Sequence, residues 1–169
     1  MKKFLLLAVH LLLVSIVFCQ DKFSVLEKEI FKEIDNTKYG RNDSVGKYYD
    51  IRGFKMYCEV YGEGEPLLII HGNGGSINNF IKQIPYFSKH YKVILADSRS
   101  QGKSVYAGDS LTYEMMADDL AALLSAMKID SANVIGWSDG GINGLLLAIR
   151  HPEKVKKLEK TRQVVYIIK

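Results

Sequence analysis

The stretch Gly136-Trp137-Ser138-Asp139-Gly140 decides the fold, because it joins a short apolar run to an apolar, helix-forming stretch. It fits the pattern Gly-x-Ser-x-Gly, which presents a serine hydroxyl on a tight turn between a strand and a helix. Glycines two residues to either side leave room for a serine whose backbone conformation is unfavourable. The helix that begins after the serine offers free N–H groups and a positive dipole to a developing oxyanion. Ser138 is therefore a candidate nucleophile.

Strands and helices alternate on both sides of this turn. Continuous apolar runs predict three strands covered on both faces, at residues 66–70, 93–96 and 133–135. Helical patterns lie between and after them, at residues 77–87, from Thr112 to Met127 and at residues 141–150. This alternation predicts an α/β fold, a mostly parallel sheet with helices on both faces. In such sheets the functional residues gather at the carboxyl ends of the strands.

A second motif, His71-Gly72-Asn73-Gly74-Gly75, directly follows the first buried run. Its glycines allow a sharp turn that points backbone N–H groups into the cleft. In sites of this class one oxyanion donor comes from such a loop, and the other from the residue after the nucleophile. We therefore predict the backbone N–H groups of Asn73 and Asp139 as donors, with Gly74 as the alternative to Asn73. The competing interpretation is two glycine-rich turns in an ordinary α/β domain. The residues predicted to support the site are His71, Gly72, Gly74, Gly136 and Gly140.

Three segments together resemble the α/β-hydrolase superfamily, namely LLIIHGNGG at 67–75, DSRSQGKS at 97–104 and VIGWSDGG at 134–141. The third is similar to that of the valacyclovir-hydrolase-like and meta-cleavage-product-hydrolase-like branches. The resemblance runs from Tyr48 to Leu158. It implies that Ser138 is the nucleophile of an esterase-like acyl transfer on a small-molecule substrate. A serine there argues against the dehalogenase and epoxide-hydrolase branches, which use aspartate. The resemblance also implies mainly structural roles for Asp97, Arg99, Gly102 and Ser104.

The chain departs from that family in its catalytic base. The resemblance implies a triad in the order Ser, Asp or Glu, then His. After Ser138 the only histidine is His151, roughly 15 Å away along a helix that rises 1.5 Å per residue, and therefore outside hydrogen-bond reach. The carboxylates after Ser138 are Asp139, Glu153 and Glu159. Asp139 lies inside the turn and cannot also orient a base.

The other histidines are weak candidates for that base. We interpret His71 as holding its own loop by local hydrogen bonds. His90 follows a helical stretch and precedes a strand, away from the active end of the sheet. The sequence therefore predicts a nucleophile without a nameable general base. The alternative to a serine hydrolase is a non-catalytic chain or a binding module.

The carboxyl-terminal residues depart from the family pattern as well. By resemblance the sixth strand should begin at residues 155–158, but a charged stretch and the apolar run 164–168 follow instead. Either the strand is displaced to 164–168, or the reading frame has been broken. We therefore expect a partial α/β-hydrolase domain at 47–158, truncated near the sixth strand, and a divergent tail at 159–169.

The amino-terminal residues predict export. Lys2 and Lys3 precede an apolar run at 4–18, which suits a signal peptide cleaved after Cys19 rather than a membrane span of roughly 20 residues. The alternatives are a lipidated Cys19 and an uncleaved anchor, which would be the only membrane contact. An amphipathic leader segment is predicted at 20–46, followed by a hairpin at 47–61.

Composition limits the partners and cofactors. The first 19 residues carry two lysines and no acid, so their removal lowers the net charge from +4 to +2, which predicts no nucleic-acid partner. Only Cys58 then remains, and it has no cysteine to pair with. Residues 72–75 lack the Gly-x-Gly-x-x-Gly spacing of dinucleotide sites, and the chain contains no evident metal-ligand cluster. No cofactor is therefore expected.

Overall fold

The structure, a computed structural model, describes residues 24–25, 28–29, 32, 36–108, 110–157, 159–160 and 164–167. The chain divides into two compact units, residues 1–37 and residues 38–169. In the first unit the described residues 24–25, 28–29, 32 and 36 are helical. The predicted signal segment and the apolar positions of the leader segment lie outside the described residues. Of the helices in the described ranges, none combines the length and the hydropathy needed to cross a membrane.

The second unit begins with the predicted hairpin. Strands β1 (Lys47–Ile51) and β2 (Phe54–Tyr61) pair antiparallel, with Ile51 opposite Phe54. Arg52 and Gly53 form the two-residue turn, and both have positive φ, 43° and 90°. Two-residue hairpin turns favour this left-handed backbone because its twist matches that of the strands. The hairpin prediction is confirmed.

Three parallel strands form the centre of the sheet and confirm the predicted α/β class. They are β3 (Glu65–Ile70), β4 (Tyr91–Ala96) and β5 (Ala132–Trp137). Strand β3 lies between the other two, with Leu67 opposite both Val93 and Asn133. Strand β2 joins the hairpin to this centre by pairing antiparallel with β4. Because parallel strands end at one edge, the loops after β3, β4 and β5 meet there.

Helices cover both faces of the sheet. Two of them, α2 (Tyr113–Ala126) and α3 (Asp139–Arg150), are long, whereas α1 (Gln83–Phe87) is a single short turn. Alternate residues of β3 serve the two faces, since Leu68 and Ile70 belong to one buried cluster and Leu67 and Ile69 to the other. The first cluster contains the apolar side of α2, and the second contains Ile84 of α1.

The continuous helix expected at 77–87 is wrong. Residues Ile77–Phe80 form a 3-10 helix, and α1 follows only from Gln83. Pro85 explains the break, because it has no N–H to donate to the carbonyl four residues earlier. In the first turn of α1 that missing donor costs little, since the first N–H groups of a helix have no intrahelical partner.

The strands after α3 agree with only part of the expectation. A 3-10 turn (Pro152–Lys154) leads into β6 (Val155–Lys157), which pairs parallel with β5 where the sixth strand is predicted. Strands β7 (Glu159–Lys160) and β8 (Val164–Ile167) form an antiparallel pair, and β8 also runs antiparallel to β5. Because β8 is antiparallel, it is not a displaced sixth strand.

A buried ion pair fixes the loop after β4 against α2. The Arg99 guanidinium donates from Nε and Nη2 to the two carboxylate oxygens of Asp119, both at 2.7 Å. It also lies 4.3 Å from the ring centroids of Phe54 and Tyr106. Hydrogen bonding to Asp119 raises the pKa of Arg99. Two-pronged pairs of this kind restrict geometry as well as adding energy, which suits the structural role implied for Arg99.

A second buried carboxylate, Glu59 in β2, organises the start of this unit. Its two oxygens accept backbone N–H groups from Gly40 (2.9 Å) and Asn42 (2.8 Å). They also accept the hydroxyls of Tyr57 (2.8 Å) and Tyr61 (2.7 Å). The sequence analysis missed this role, although a glutamate inside an otherwise apolar strand is a signal that could have revealed it.

Candidate active site

Ser138 is the single residue between the end of β5 and the first residue of α3. Its backbone has φ 54° and ψ −123°, a conformation that non-glycine residues rarely adopt and that costs about 1–3 kcal/mol. The residue is exposed, and the free N–H groups at the start of α3 follow it directly. The strained turn therefore holds the hydroxyl at the carboxyl edge of the sheet, at the positive end of a helix dipole.

The glycines of this turn are required by close backbone contacts. A Cβ on Gly140 would overlap the Ile70 carbonyl oxygen and lie 2.7 Å from that of His71. A Cβ on Gly136 would overlap the Gly140 carbonyl oxygen. Both contacts are with backbone, which cannot rotate away as a side chain could. The two predicted glycines thus let α3 start against the end of β3.

The loop after β3 approaches the serine closely. A Cβ on Gly72 would be 3.1 Å from the Ser138 Cβ and 3.3 Å from the Trp137 carbonyl oxygen. Gly74 has φ 67°, the left-handed region that glycine adopts at little cost, and a Cβ there would have no neighbour within 4 Å. Gly72 therefore lets the loop after β3 lie close to Ser138, and Gly74 lets the same loop turn.

His71 holds this loop with both ring nitrogens. Its Nδ1–H donates to the Gly72 carbonyl oxygen at 2.8 Å, while Nε2 accepts the backbone N–H of Ser98 at 2.9 Å. The N–H of Ser98 fixes the tautomer, because Nε2 must be unprotonated to accept it. Burial lowers the pKa of His71 and keeps the ring neutral. The ring therefore links the loops after β3 and β4 and has no nitrogen left for Ser138.

Asp97 ties the same two loops together from the other side. Its carboxylate accepts the backbone N–H of Ile77 at 2.9 Å and that of Lys103 at 2.7 Å. The Ser104 hydroxyl donates to the Asp97 carbonyl oxygen at 2.7 Å. Burial raises the pKa of Asp97. Gly102 is needed beside it, since a Cβ there would overlap the carboxylate. These contacts fit the structural role implied for this loop.

Both predicted oxyanion residues border one open cleft of about 400 Å³. Asn73 lies on one side, in the loop after β3, and Asp139 lies on the other, at the first position of α3. The remaining lining comes from the residues around the start of α2, which are Leu111, Thr112, Tyr113, Glu114 and Met116. The structure thus places Asn73, from the loop after β3, and Asp139, the residue after Ser138, on the same cleft.

The wall from α2 is the part of the site that the sequence analysis missed. Thr112 caps this helix by accepting the backbone N–H of Met115 at 3.2 Å. The Asp139 carboxylate raises the pKa of the Tyr113 phenol, and both residues border the cleft. The sequence could have predicted this wall, because a helix that follows the loop after β4 begins at the carboxyl edge of the sheet, where the site lies.

The remaining described histidines lie away from Ser138. His151 is the C-cap of α3, and its Nε2 is 2.8 Å from a carboxylate oxygen of Asp118. His90 precedes β4, at the opposite edge of the sheet from Ser138. In the ranges that the structure describes, no hydrogen bond reaches the Ser138 hydroxyl, and no three metal-ligating side chains lie together. Among the described residues, Ser138 is thus an exposed serine on a strained turn, and its hydroxyl has no hydrogen bond to a basic side chain.

Comparisons with known proteins agree with this fold. Residues 65–158, more than half of the chain, match the family described as alpha/beta hydrolase fold. The match ends where the family pattern is predicted to end, at residue 158, and it begins later than the predicted residue 48.

Relatives and solved structures carry hydrolase names. RutD, a candidate carbamate hydrolase of Azorhizobium caulinodans, is 35% identical over 61% of this chain and 39% of its own length. The 2-hydroxymuconate semialdehyde hydrolase of Pseudomonas sp. strain CF600 is 32% identical, covering 68% of this chain and 42% of its own. The enol-lactonase from Burkholderia xenovorans LB400 superposes with a TM-score of 0.63 at 28% identity, over 66% of this chain and 44% of that one. The chain thus spans about two fifths of the length of these relatives.

Proposed function

Since this chain belongs to the alpha/beta hydrolase fold family, we propose that it carries a serine hydrolase site that works by acyl transfer through Ser138. The observation that supports the proposal most is the backbone of Ser138, φ 54° and ψ −123°, at the start of α3. Strain of this kind persists only where the surrounding structure enforces it, and it is concentrated at functional sites. The close glycine contacts of Gly136 and Gly140 provide that enforcement.

The proposed reaction begins when the Ser138 Oγ attacks the carbonyl carbon of an ester. The C–O double bond opens to an oxyanion, which the backbone N–H groups of Asn73 and Asp139 stabilise by hydrogen bonds. The oxyanion then collapses, the C–O bond to the leaving group breaks, the alkoxide takes a proton from water and leaves as an alcohol, and an acyl group remains on Ser138. Hydroxide then attacks that acyl group, the bond to the Ser138 oxygen breaks, the carboxylate is released and Ser138 regains its proton from water. The serine proton passes to solvent hydroxide in the absence of a base among the described residues.

The proposed substrates are small molecules with an ester-like carbonyl. The relatives named above are a candidate carbamate hydrolase, a semialdehyde hydrolase and an enol-lactonase, and each of these names denotes a carbonyl compound. The open cleft of about 400 Å³ is within the range of small-molecule sites.

Export of the chain through its first 19 residues is also proposed. The support is the basic start followed by the apolar run at 4–18. The amino terminus of the protein recovered from outside an expressing bacterial cell provides the test. A mature chain that begins at Gln20 is expected, whereas a chain retained inside with Met1 intact would contradict export.

The second candidate is a non-catalytic chain or binding module that retains the fold. The observation in its favour is that the described histidines are engaged elsewhere or distant. His71 uses both ring nitrogens on backbone groups, and His151 pairs with Asp118.

Acylation by p-nitrophenyl acetate distinguishes these candidates. The full chain is incubated with the ester at pH 8, and peptide mapping locates the acetyl group. The hydrolase proposal predicts acetyl on Ser138, and the Ser138→Ala variant is expected to lose that modification while keeping the background on lysines. An equal modification pattern in both proteins would favour the non-catalytic chain. Rapid turnover comparable to an ordinary esterase would instead show that a base acts on Ser138.

A further inference from the structure

A second cleft, of about 480 Å³, lies at the opposite edge of the sheet from Ser138. Its walls are the starts of β1 and β4, the middle of β2 and the end of α2. Strand β4 begins at this edge and runs towards the active edge for six residues, about 20 Å at 3.3 Å per residue. A molecule bound here would therefore not touch Ser138 or the cleft that Asn73 and Asp139 border.

Three lysines surround this cleft, and its lining includes no acidic residue. They are Lys47 at the start of β1, Lys92 at the start of β4, and Lys128 after α2. Within the described part of the chain none of the three forms an ion pair, unlike Lys55, which pairs with Asp50 at 2.8 Å. Three uncompensated ammonium groups around one concave surface attract an anion.

Lys128 has an unusual backbone for its residue type. Its φ is 57°, the left-handed conformation, and its N–H donates to the Ser125 carbonyl oxygen at the end of α2. Glycine is the usual residue at this position of a helix end, because it has no Cβ to strain. The positive charge of a lysine at the carboxyl end of a helix interacts favourably with the helix dipole. That interaction does not explain why Lys128 also borders a cleft. Lys128 therefore borders the cleft with a strained backbone conformation.

Apolar residues form part of the lining beside the lysines. They are Val45 just before the hairpin, Tyr49 and Val60 within it, and Met127 at the end of α2. Tyr49 is partly buried, and burial raises the pKa of its phenol. Apolar walls with a few convergent charged groups characterise small-molecule sites of this volume.

We propose that this lysine cleft binds a monocarboxylate with an aliphatic tail, with the carboxylate among Lys47, Lys92 and Lys128 and the tail on the apolar wall. The inference does not depend on Ser138. If charge alone determined binding, acetate would bind as tightly as a carboxylate with an aliphatic tail. If apolar contact alone determined binding, an alcohol with the same tail would bind as tightly as that carboxylate. Only the combination requires both parts in one molecule.

Isothermal titration calorimetry of the full chain tests the proposal with sodium octanoate, sodium acetate and 1-octanol. Octanoate is expected to bind at least tenfold more tightly than either of the others. The double variant Lys47→Gln/Lys92→Gln is expected to weaken octanoate binding at least tenfold. The matched control Lys89→Gln removes an exposed lysine outside the cleft lining and is expected to change binding less than twofold. Ser138→Ala is expected to leave it unchanged.

A steric variant separates loss of binding from loss of folding. Ala126→Trp, at the exposed end of α2, places a large ring at the cleft and is expected to abolish octanoate binding while the far-ultraviolet dichroism stays unchanged. Octanoate affinity that survives both the double variant and Ala126→Trp would overturn the proposal. Acetate or 1-octanol binding as tight as octanoate binding would overturn it as well.

Discussion

Replacing Gly140 with alanine separates helix propensity from backbone packing, because the two predict effects of opposite sign. Gly140 is the second residue of α3 and has no left-handed backbone. Propensity alone predicts that alanine in a helix stabilises the chain by about 0.5–1 kcal/mol. The structure predicts the reverse, because the added Cβ would overlap the Ile70 carbonyl oxygen and lie 2.7 Å from that of His71.

The magnitude follows from what would have to move. Ile70 ends β3, which is paired on one side with β4 and on the other with β5, so the strand cannot retreat without breaking a ladder. Inserting a methyl group into such packing costs typically 1–3 kcal/mol. We take the upper end because the contact is with backbone, and subtract the propensity gain. The net expectation is a loss of about 2 kcal/mol in the free energy of unfolding.

Urea denaturation followed by circular dichroism measures this loss. The matched control is Gly74→Ala in the neighbouring loop, where a Cβ would meet nothing within 4 Å and only the left-handed backbone is strained. That control should cost about 1 kcal/mol. A Gly140→Ala chain with an unchanged or higher urea midpoint would refute the packing account of the turn.

Three further predictions concern strain, the buried ion pair and pH. Ser138→Gly should raise the free energy of unfolding by about 1 kcal/mol in urea denaturation, since it relieves the strained backbone, and a lower value would contradict the strain. Arg99→Met should cost about 3 kcal/mol, the lower end for a broken buried pair, because buried Asp119 keeps half-exposed Arg52 at 3.2 Å as a partner. Exposed Lys55→Met should cost under about 0.5 kcal/mol, and equal losses would argue against a buried pair. Because burial lowers the pKa of His71 below the value near 6.5 of an unfolded chain, stability should fall as pH drops from about 6.5 to 5.5, by at most about 1.4 kcal/mol per unit. His71→Gln should flatten that slope, and an unchanged slope would assign it to another group.

Sequence reasoning located the parts of the fold that depend on local pattern. The continuous apolar runs become β3, β4 and β5 because strands buried on both faces need no alternation. Gly53 suits the hairpin turn because it adopts a positive φ at little cost, and Thr112 suits the helix cap because its hydroxyl accepts a backbone N–H. The break at 81–82 was missed, although Pro85 carries the signal for it.

The contacts that join distant segments could not be predicted in the same way. Glu59 binds the backbone of Gly40 and Asn42 from 17 to 19 residues away, and Arg99 meets Asp119 across 20 residues. No local pattern specifies which buried charge meets which partner. Residues Leu111–Glu114 border the cleft only because of where α2 packs on the folded sheet, and no local pattern specifies that position.

The pH dependence of Ser138 labelling by a fluorophosphonate tests the central claim most directly. The claim is that a strained turn presents Ser138 to oxyanion donors while no described residue acts as its base. Without a base the serine reacts through hydroxide, so the labelling rate should rise about tenfold per pH unit from pH 6 to 9 with no inflection. Ser138→Ala should not be labelled at that peptide. A rate that levels off above an inflection between pH 6 and 7 would contradict the claim, because it would show a histidine acting on Ser138.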